Sequence, residues 1–519
     1  MKHAITYIVF LSLIFGLGNS TRIELLPESS NTIISFRVGD FYTSADQGNG
    51  VSIHIPEGSQ IMDKGSPDLP KLVSSVIVDD GIELGVRIVS SSYKEYKDYN
   101  VSPSKGTFTR NINPHDIELS YGQNYNKDEF YPTDIVDINS PFIFRDHVGQ
   151  TITVNPIQYN PISGTLRVYS EIVVEAYPLD SMPRRVTKQK KHELKEHMID
   201  REFSNMYAHK FINYDSSRYQ DLDEQGSMLV ICYDSFVSAM EPFVNWKNRK
   251  GIKTDILPVS QIGSNASSIQ SYISNLYYES DLTYVLLVGD INQIPSPSHE
   301  GAPSDPFYGY IDGNDFFPEI MVGRFSAESI SHVNTQVERT INYERMPDTG
   351  DWYKYGVGVA SSEGAGAGDQ GEADYQHLDI IREKLMEYTY NDVDQLYETN
   401  GGSYNMVSQA VNAGRSIINY TGHGWDQGWA TTGFDNNGVN ALTNTNNLPF
   451  IVSVACVNGA FQNGTSFAEA WLRATDVEGN PTGAIAMAAS TVNQQWAQPM
   501  EGQDEFNDIL VESYENNVK

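Results

Sequence analysis

The sequence predicts two kinds of folded region in series: an all-β N-terminal part, then an α/β part built on a mostly parallel sheet with helices on both faces. Two observations lead there. After Gln225, short and nearly continuous apolar runs (SMLVICY, TYVLLVGD, YGVGVASS, SIINYTG, PFIVSVAC, GAIAMAAS) alternate with amphipathic stretches at 236–249, 269–278, 333–343, 375–388, 406–413, 467–475 and 504–514. That is the pattern of strands buried on both faces and joined by crossover helices. Before it, short alternating segments at 86–89, 142–144, 151–154 and 166–174 are punctuated by Pro, Gly and Asn, with no useful helical period before Lys188. Such texture belongs to half-buried strands.

A chain of 519 residues exceeds what one core sustains, so roughly three domains are expected. The first twenty residues carry Lys2 and His3, an apolar run to Leu17, then Gly18, Asn19 and Ser20, as in a cleaved secretory signal. No later run is long enough to span a bilayer, so a secreted or cell-surface protein is expected. The basic, polar stretch from Met182 to Lys210 suits an exposed linker and a domain boundary. With 35 basic and 67 acidic residues the net charge is -32; such a chain repels phosphate backbones and anionic headgroups, which excludes nucleic acid and membrane surfaces as partners. The chain has two cysteines, too few for a disulfide framework. Cys232 lies inside an apolar run and reads as a small buried hydrophobe.

Ligands of an open parallel sheet gather beyond the carboxyl ends of its strands. Two apolar runs end in chemistry there: 416–420 leads into Thr421-Gly422-His423-Gly424, and 450–455 leads into Cys456-Val457-Asn458-Gly459. A short helical connection makes these strands neighbours and brings His423 and Cys456 to one edge. An imidazole can take a thiol proton or stabilise the thiolate, and the amides of Gly424 and Cys456 could bind a developing oxyanion. Singly, a loop histidine and a buried strand-end cysteine are ordinary; together at matching strand ends they point to a nucleophilic dyad.

The motifs YTGHG at 420–424 and VACVNG at 454–459 resemble those of the gingipain family of cysteine peptidases. The likeness continues through FVNWKNRKGIKT, LTYVLLVGD, VGRFS, LTNTNNLPFIVSVACVNGAF and PTGAIAMAASTVNQQWAQPMEGQDEFNDIL, and covers essentially all of 226–519. The resemblance implies a caspase-like fold in two subdomains and hydrolysis of peptide bonds with no cofactor in the chemistry. The implied layout is a signal peptide at 1–20, a β-rich inhibitory prodomain at 21–218, and catalytic subdomains at 219–340 and 341–519. It implies Cys456 as nucleophile, His423 as base and Glu363 of SSEG as the acid that orients the histidine. Asp374 of GEADYQH matches the pocket-floor carboxylate of the arginine-cleaving members, and Trp496 and Met500 match pocket walls. An aspartate receives guanidinium bidentately, and flat apolar walls pack on its plane. The expected partners are therefore polypeptides with Arg before the cut, and the chain's own prodomain.

Asp374 alone would also attract an ammonium, which leaves a Lys or mixed basic preference as one alternative; a non-enzymatic surface adhesin that keeps the fold is the other. The chain departs from the family in AFQNGTSF after Cys456, which is shorter than usual, and in Ala460, which stands where an Asp is common. In GNDFFPE, Asp315 and Glu319 with the carbonyl of Phe317 resemble a calcium loop of the family, and hard oxygen ligands at that spacing suit the ion. Relatives continue beyond Lys519, so an incomplete catalytic region is expected. FINYDSSRYQDLDE places Arg218 at the resemblance's propeptide junction, in a turn-prone segment that a protease can reach.

Overall fold

The computed structural model describes residues 21–26, 31–45, 50–179, 198–218, 220–221, 226–347 and 349–511. The expected signal segment, most of the linker, Tyr219 and the end of the last expected helix lie outside the described residues.

The N-terminal region is all-β in its main body, as its alternating texture predicts. One antiparallel sheet runs Arg22–Leu26, Thr32–Arg37, Thr165–Pro178, Ile157–Asn160, with Leu84–Tyr96 also paired to Thr165–Pro178. A second is built from Ser59–Gln60, Pro70–Val78, His147–Val154 and Val136–Ile138, with Phe142–Phe144 paired to His147–Val154. The inward residues of both, among them Ile34, Phe36, Leu72, Val76, Ile152, Leu166 and Val174, form one buried core.

The linker expectation is corrected within 198–210. Helix α1 (Arg201–Lys210) buries Phe203 and Tyr207 in an aromatic cluster with Phe142, Phe144 and Phe211, against which Phe317 also packs. Its charged residues made it read as solvated chain. The two aromatic residues, one helical turn apart, share a face and hold it down.

The C-terminal region contains two parallel sheets. The first has the order Lys253–Pro258, Ser227–Cys232, Leu282–Val288, Met321–Phe325, and the second Asp392–Gln395, Tyr355–Ala360, Ile417–Thr421, Phe450–Val454, Ala486–Ala488. The central strands are those the apolar runs predicted. Three edge strands, Lys253–Pro258, Met321–Phe325 and Asp392–Gln395, were not legible, because edges exposed to water carry no continuous apolar run.

Helices α2 (Val237–Lys250), α3 (Ala266–Glu279) and α4 (Ile330–Arg345) cover the first sheet. Leu229 and Ile231 face α3, whereas Val230 and Cys232 face α2 and α4, so alternate residues of one strand serve opposite layers. The second sheet is treated alike by α5 (Asp374–Tyr388), α6 (Tyr404–Asn412), α7 (Asn436–Asn440), α8 (Phe467–Arg473) and α9 (Ala497–Leu510). Arg339 of α4 fastens the two sheets together by donating to the carbonyls of Trp471, Ala474, Thr482 and Ala484. With no carboxylate partner among the described residues, its burial drops its pKa to about 9.

Candidate active site

The strands Ile417–Thr421 and Phe450–Val454 are parallel neighbours with Thr421 opposite Val454. His423 and Cys456 each lie two residues beyond that pair, so register alone delivers both to the same edge. Gly422 N–H donates to Val454 O at 3.1 Å and carries the pairing one step further. A Cβ on Gly424 would stand 2.8 Å from the carbonyl oxygen of Cys456. Only glycine lets the histidine loop lie this close to the cysteine strand. Directly after the cysteine, Val457 holds φ at 51°, a left-handed conformation that costs a β-branched residue about 1–3 kcal/mol. The strain marks a sharp turn that presents Cys456 at the strand end.

His423 Nε2 lies 2.9 Å from Glu363 Oε2, the two residues that the resemblance pairs. With Nε2 so engaged, Nδ1 is the nitrogen left to exchange a proton with a thiol. Cys456 is a free, buried thiol. Burial pushes its pKa up, and the N–H of Gln494, the charge of Arg110 and the N–H groups of Asn111 and Arg110 pull the other way. Cys232 is also free and fully buried in the first sheet, its thiol pushed up to about 12 by desolvation and by Asp234. Two free thiols leave no disulfide.

Asp374 is the first residue of α5 and is fully buried, where the helix N-terminus favours a carboxylate. Its oxygens accept from Ser361 Oγ at 2.6 Å, and its own N–H donates to Glu363 O at 3.0 Å. The pocket and the dyad thus share one loop. Trp496 and Met500, expected as pocket walls, pack with Ala367 and Val454 in one buried cluster, and Phe108 lies against it. Gly364, at φ +89°, passes so close to the Trp496 indole that a Cβ would meet Nε1 at 2.8 Å.

The pocket is filled by a residue of the N-terminal region. Arg110 Nη1 donates to both carboxylate oxygens of Asp374, at 3.0 and 3.1 Å, and Nη2 donates to Trp496 O at 3.2 Å. Its guanidinium lies 4.7 Å from the Trp496 ring centroid. Both side chains of the ion pair are wholly shielded from water. The flanking backbone adds a strand-like edge: Arg110 N–H donates to Gln494 O at 2.8 Å, Trp496 N–H to Phe108 O at 3.0 Å, and Thr109 pairs antiparallel with Gln495. Main-chain pairing with a side chain in a pocket is how an extended peptide is recognised.

Arg110 was not singled out from sequence, and neither was Asn458. The latter is buried and ties the two loops by donating to Trp425 O and Gly428 O while accepting from Ser453 Oγ. Tyr420, stacked on Trp429, donates to His423 O at 2.5 Å and fixes the histidine backbone. Its place in YTGHG is the one sequence signal for that role.

The predicted calcium loop lies away from the cleft. Both oxygens of Asp315 are taken by N–H groups, of Phe317 and of Ile143. Glu319 accepts from the N–H groups of Ile311 and Asp312, but Oε1 has no hydrogen-bond partner. Desolvation is the largest influence on its carboxyl and pushes it up to about 7. Glu319 thus fits a cation, whereas Asp315 is already committed. Among the described residues, the acid and histidine side chains grouped closely enough to share an ion are Asp369 and Glu372, in the loop before Asp374, and His377, in the first turn of α5.

A buried strand-end thiol, a carboxylate-held histidine beside it and an arginine-filled acidic pocket define a cysteine peptidase held with its propeptide. Peptidase family C25 matches residues 221–518 and the Propeptide_C25 family matches 17–215; the chain belongs to peptidase family C25. It is 40% identical over 536 residues to Gingipain R2 of Porphyromonas gingivalis, covering 99% of this chain and 72% of that protein. It is 39% identical to Gingipain R1 from the same organism, covering 97% and 51%. With Lys-gingipain HG66 of that organism the identity is 23%, covering 87% and 26%. Among solved structures, the Arg specific cysteine proteinase gingipain R superposes with a TM-score of 0.55 at 44% identity, over 57% of this chain and 69% of that one. The complex of Porphyromonas gingivalis RgpB pro- and mature domains gives 0.54 at 45%, over 55% and 69%.

Proposed function

We propose that the chain is the latent, secreted precursor of an endopeptidase that cuts after arginine. The observation that carries this reading is Arg110: the pocket already holds an arginine, with its charge on Asp374 and its plane on Trp496. An ammonium would gain the charge but neither the carbonyl bond to Trp496 nor the flat contact. The identities point the same way, with 40% to Gingipain R2 against 23% to a Lys-gingipain.

In the proposed reaction His423 takes the Cys456 proton, and the sulfur attacks the carbonyl carbon of the pocket-bound arginine. The oxyanion is held by the amides of Gly424 and Cys456. His423 then returns the proton to the leaving amine, and water releases the acyl group by the same route. Glu363 keeps the imidazole oriented. Glu319, with the Phe317 carbonyl and Asp315 once its prodomain bond is released, would hold a calcium ion of structural use only. Arg218 ends a short helical turn, Ser216–Arg218, between the paired segments Met198–Ile199 and Gln220–Asp221. Cleavage there would separate the prodomain.

The test is a set of paired peptide substrates differing only in Arg, Lys or citrulline before the cut, with N-terminal sequencing of the active product. Preference for Arg and a terminus at Tyr219 are expected. Equal rates on Arg and citrulline would remove the carboxylate from recognition and overturn the reading.

A further inference from the structure

The N-terminal region grips the catalytic region at a second place, away from the cleft. The hairpin that pairs Phe142–Phe144 with the start of His147–Val154 turns at Arg145, which holds φ at 48°. A non-glycine residue adopts this conformation at a cost, so the turn must be held from outside. The Arg145 side chain is 98% shielded. Nη1 donates to Leu282 O at 3.0 Å and to Glu319 O at 2.5 Å, and Nη2 donates to Asp200 Oδ2 at 2.8 Å. The guanidinium lies 4.5 Å from the Phe203 ring centroid and 5.7 Å from that of Tyr277.

Around this plug the contacts are specific on both sides. Asp200, just before α1, also accepts from Thr283 Oγ1 at 2.8 Å. Ile143 N–H donates to Asp315 Oδ2 at 2.9 Å, and Phe142 stacks on Phe317 at 4.0 Å. On the catalytic side the carbonyls of Leu282 and Glu319, the Thr283 hydroxyl and the Tyr277 face make a receptor for a planar, multiply donating cation, which is guanidinium chemistry. Arg145 also meets carboxylates of its own region, Asp200 at 2.8 Å and Asp146 at 3.7 Å, so it joins both sides. A guanidinium desolvated this fully, on a strained turn, has the character of an interface hot spot.

We propose that Arg145 is a second anchor of the prodomain, independent of the Arg110 plug, and that Leu282, Thr283, Glu319 and Tyr277 form an arginine-accepting site on the first catalytic sheet. This anchor also fixes α1 through Asp200, so it governs the segment leading to the junction whether or not the cleft is occupied. The proposal does not depend on which bond the enzyme cuts.

Hydrogen exchange on the full chain tests it, in a Cys456→Ala background that keeps the chain intact. Arg145→Ala is expected to speed exchange at 142–147, 200–211 and 311–319 by about tenfold or more, as for a buried charge partner removed. Residues 108–111 and 361–374 should keep the parent rates. Arg110→Ala should do the reverse. Asp200→Asn, which keeps shape, should loosen 200–211 in the same direction as Arg145→Ala, and unchanged exchange in Thr165–Pro178 shows that the prodomain is folded. If Arg145→Ala loosens the cleft segment as much as its own, or leaves 142–147 unchanged, the independent anchor is overturned.

Discussion

Replacing Arg110 by alanine should convert a closed cleft into an accessible one, and the structure sets the size of the effect. Removing one partner of a fully buried ion pair costs about 3–5 kcal/mol, because the other charge is left uncompensated. Here the lower end applies. Asp374 keeps the Ser361 hydroxyl and its place at the start of α5, and the emptied pocket admits water. About 3 kcal/mol corresponds to roughly 100-fold weaker closure of the cleft by the 108–111 segment. The assay is the rate at which an arginine-bearing, thiol-reactive probe labels Cys456 in freshly prepared full-length chain, read by intact mass. Parent chain should label slowly, and Arg110→Ala about 100-fold faster. Arg110→Lys should fall between them, keeping the charge but losing the contacts to Trp496. Labelling of Arg110→Ala at the parent rate would refute the reasoning, since it would place closure in the strand-like backbone contacts alone.

Three further outcomes follow from the same geometry. Cys456→Ala should abolish peptide hydrolysis while shifting the unfolding midpoint little, because only one buried sulfur atom is lost and no cavity larger than that atom is left; activity assay and thermal melt check the two halves. Cys232, with its thiol pushed up to about 12, should resist alkylation in the folded chain from pH 7 to 9 and react only in denaturant, while Cys232→Ala keeps activity. Asp374→Asn should lower kcat/KM for arginine substrates by about 2–4 kcal/mol in transition-state terms and leave a citrulline analogue much less affected.

Much of this architecture is legible from local pattern. Strands buried on both faces announce themselves as apolar runs, and most helix starts fall near the expected positions because their apolar faces repeat, but α9 begins at Ala497 rather than Asp504 and the short α7 was not expected. Edge strands such as Asp392–Gln395 escape notice because one side meets water and the residues are polar. Helix α1 escapes for a related reason: its burial rests on Phe203 and Tyr207 amid charged neighbours, too small an apolar face to outweigh its composition. The dyad is legible because parallel strands deliver their ends to one edge, so His423 and Cys456 need no long-range information beyond neighbouring strands.

Arg110 is a different case. It sits 264 positions from Asp374 in a loop whose composition resembles many others, and nothing local marks an arginine that will be buried. Its significance follows only from the pocket it fills. In the proposed function Asp374 serves two demands at once: it would select the residue before the cut, and it holds Arg110 of the segment that blocks the cut. A stronger pocket for guanidinium tightens both, so a substitution at Asp374 that relaxes specificity must also loosen Arg110. The Arg145 site lies on another sheet with its own acceptors, and it gives the prodomain a hold that such a change in the cleft leaves in place.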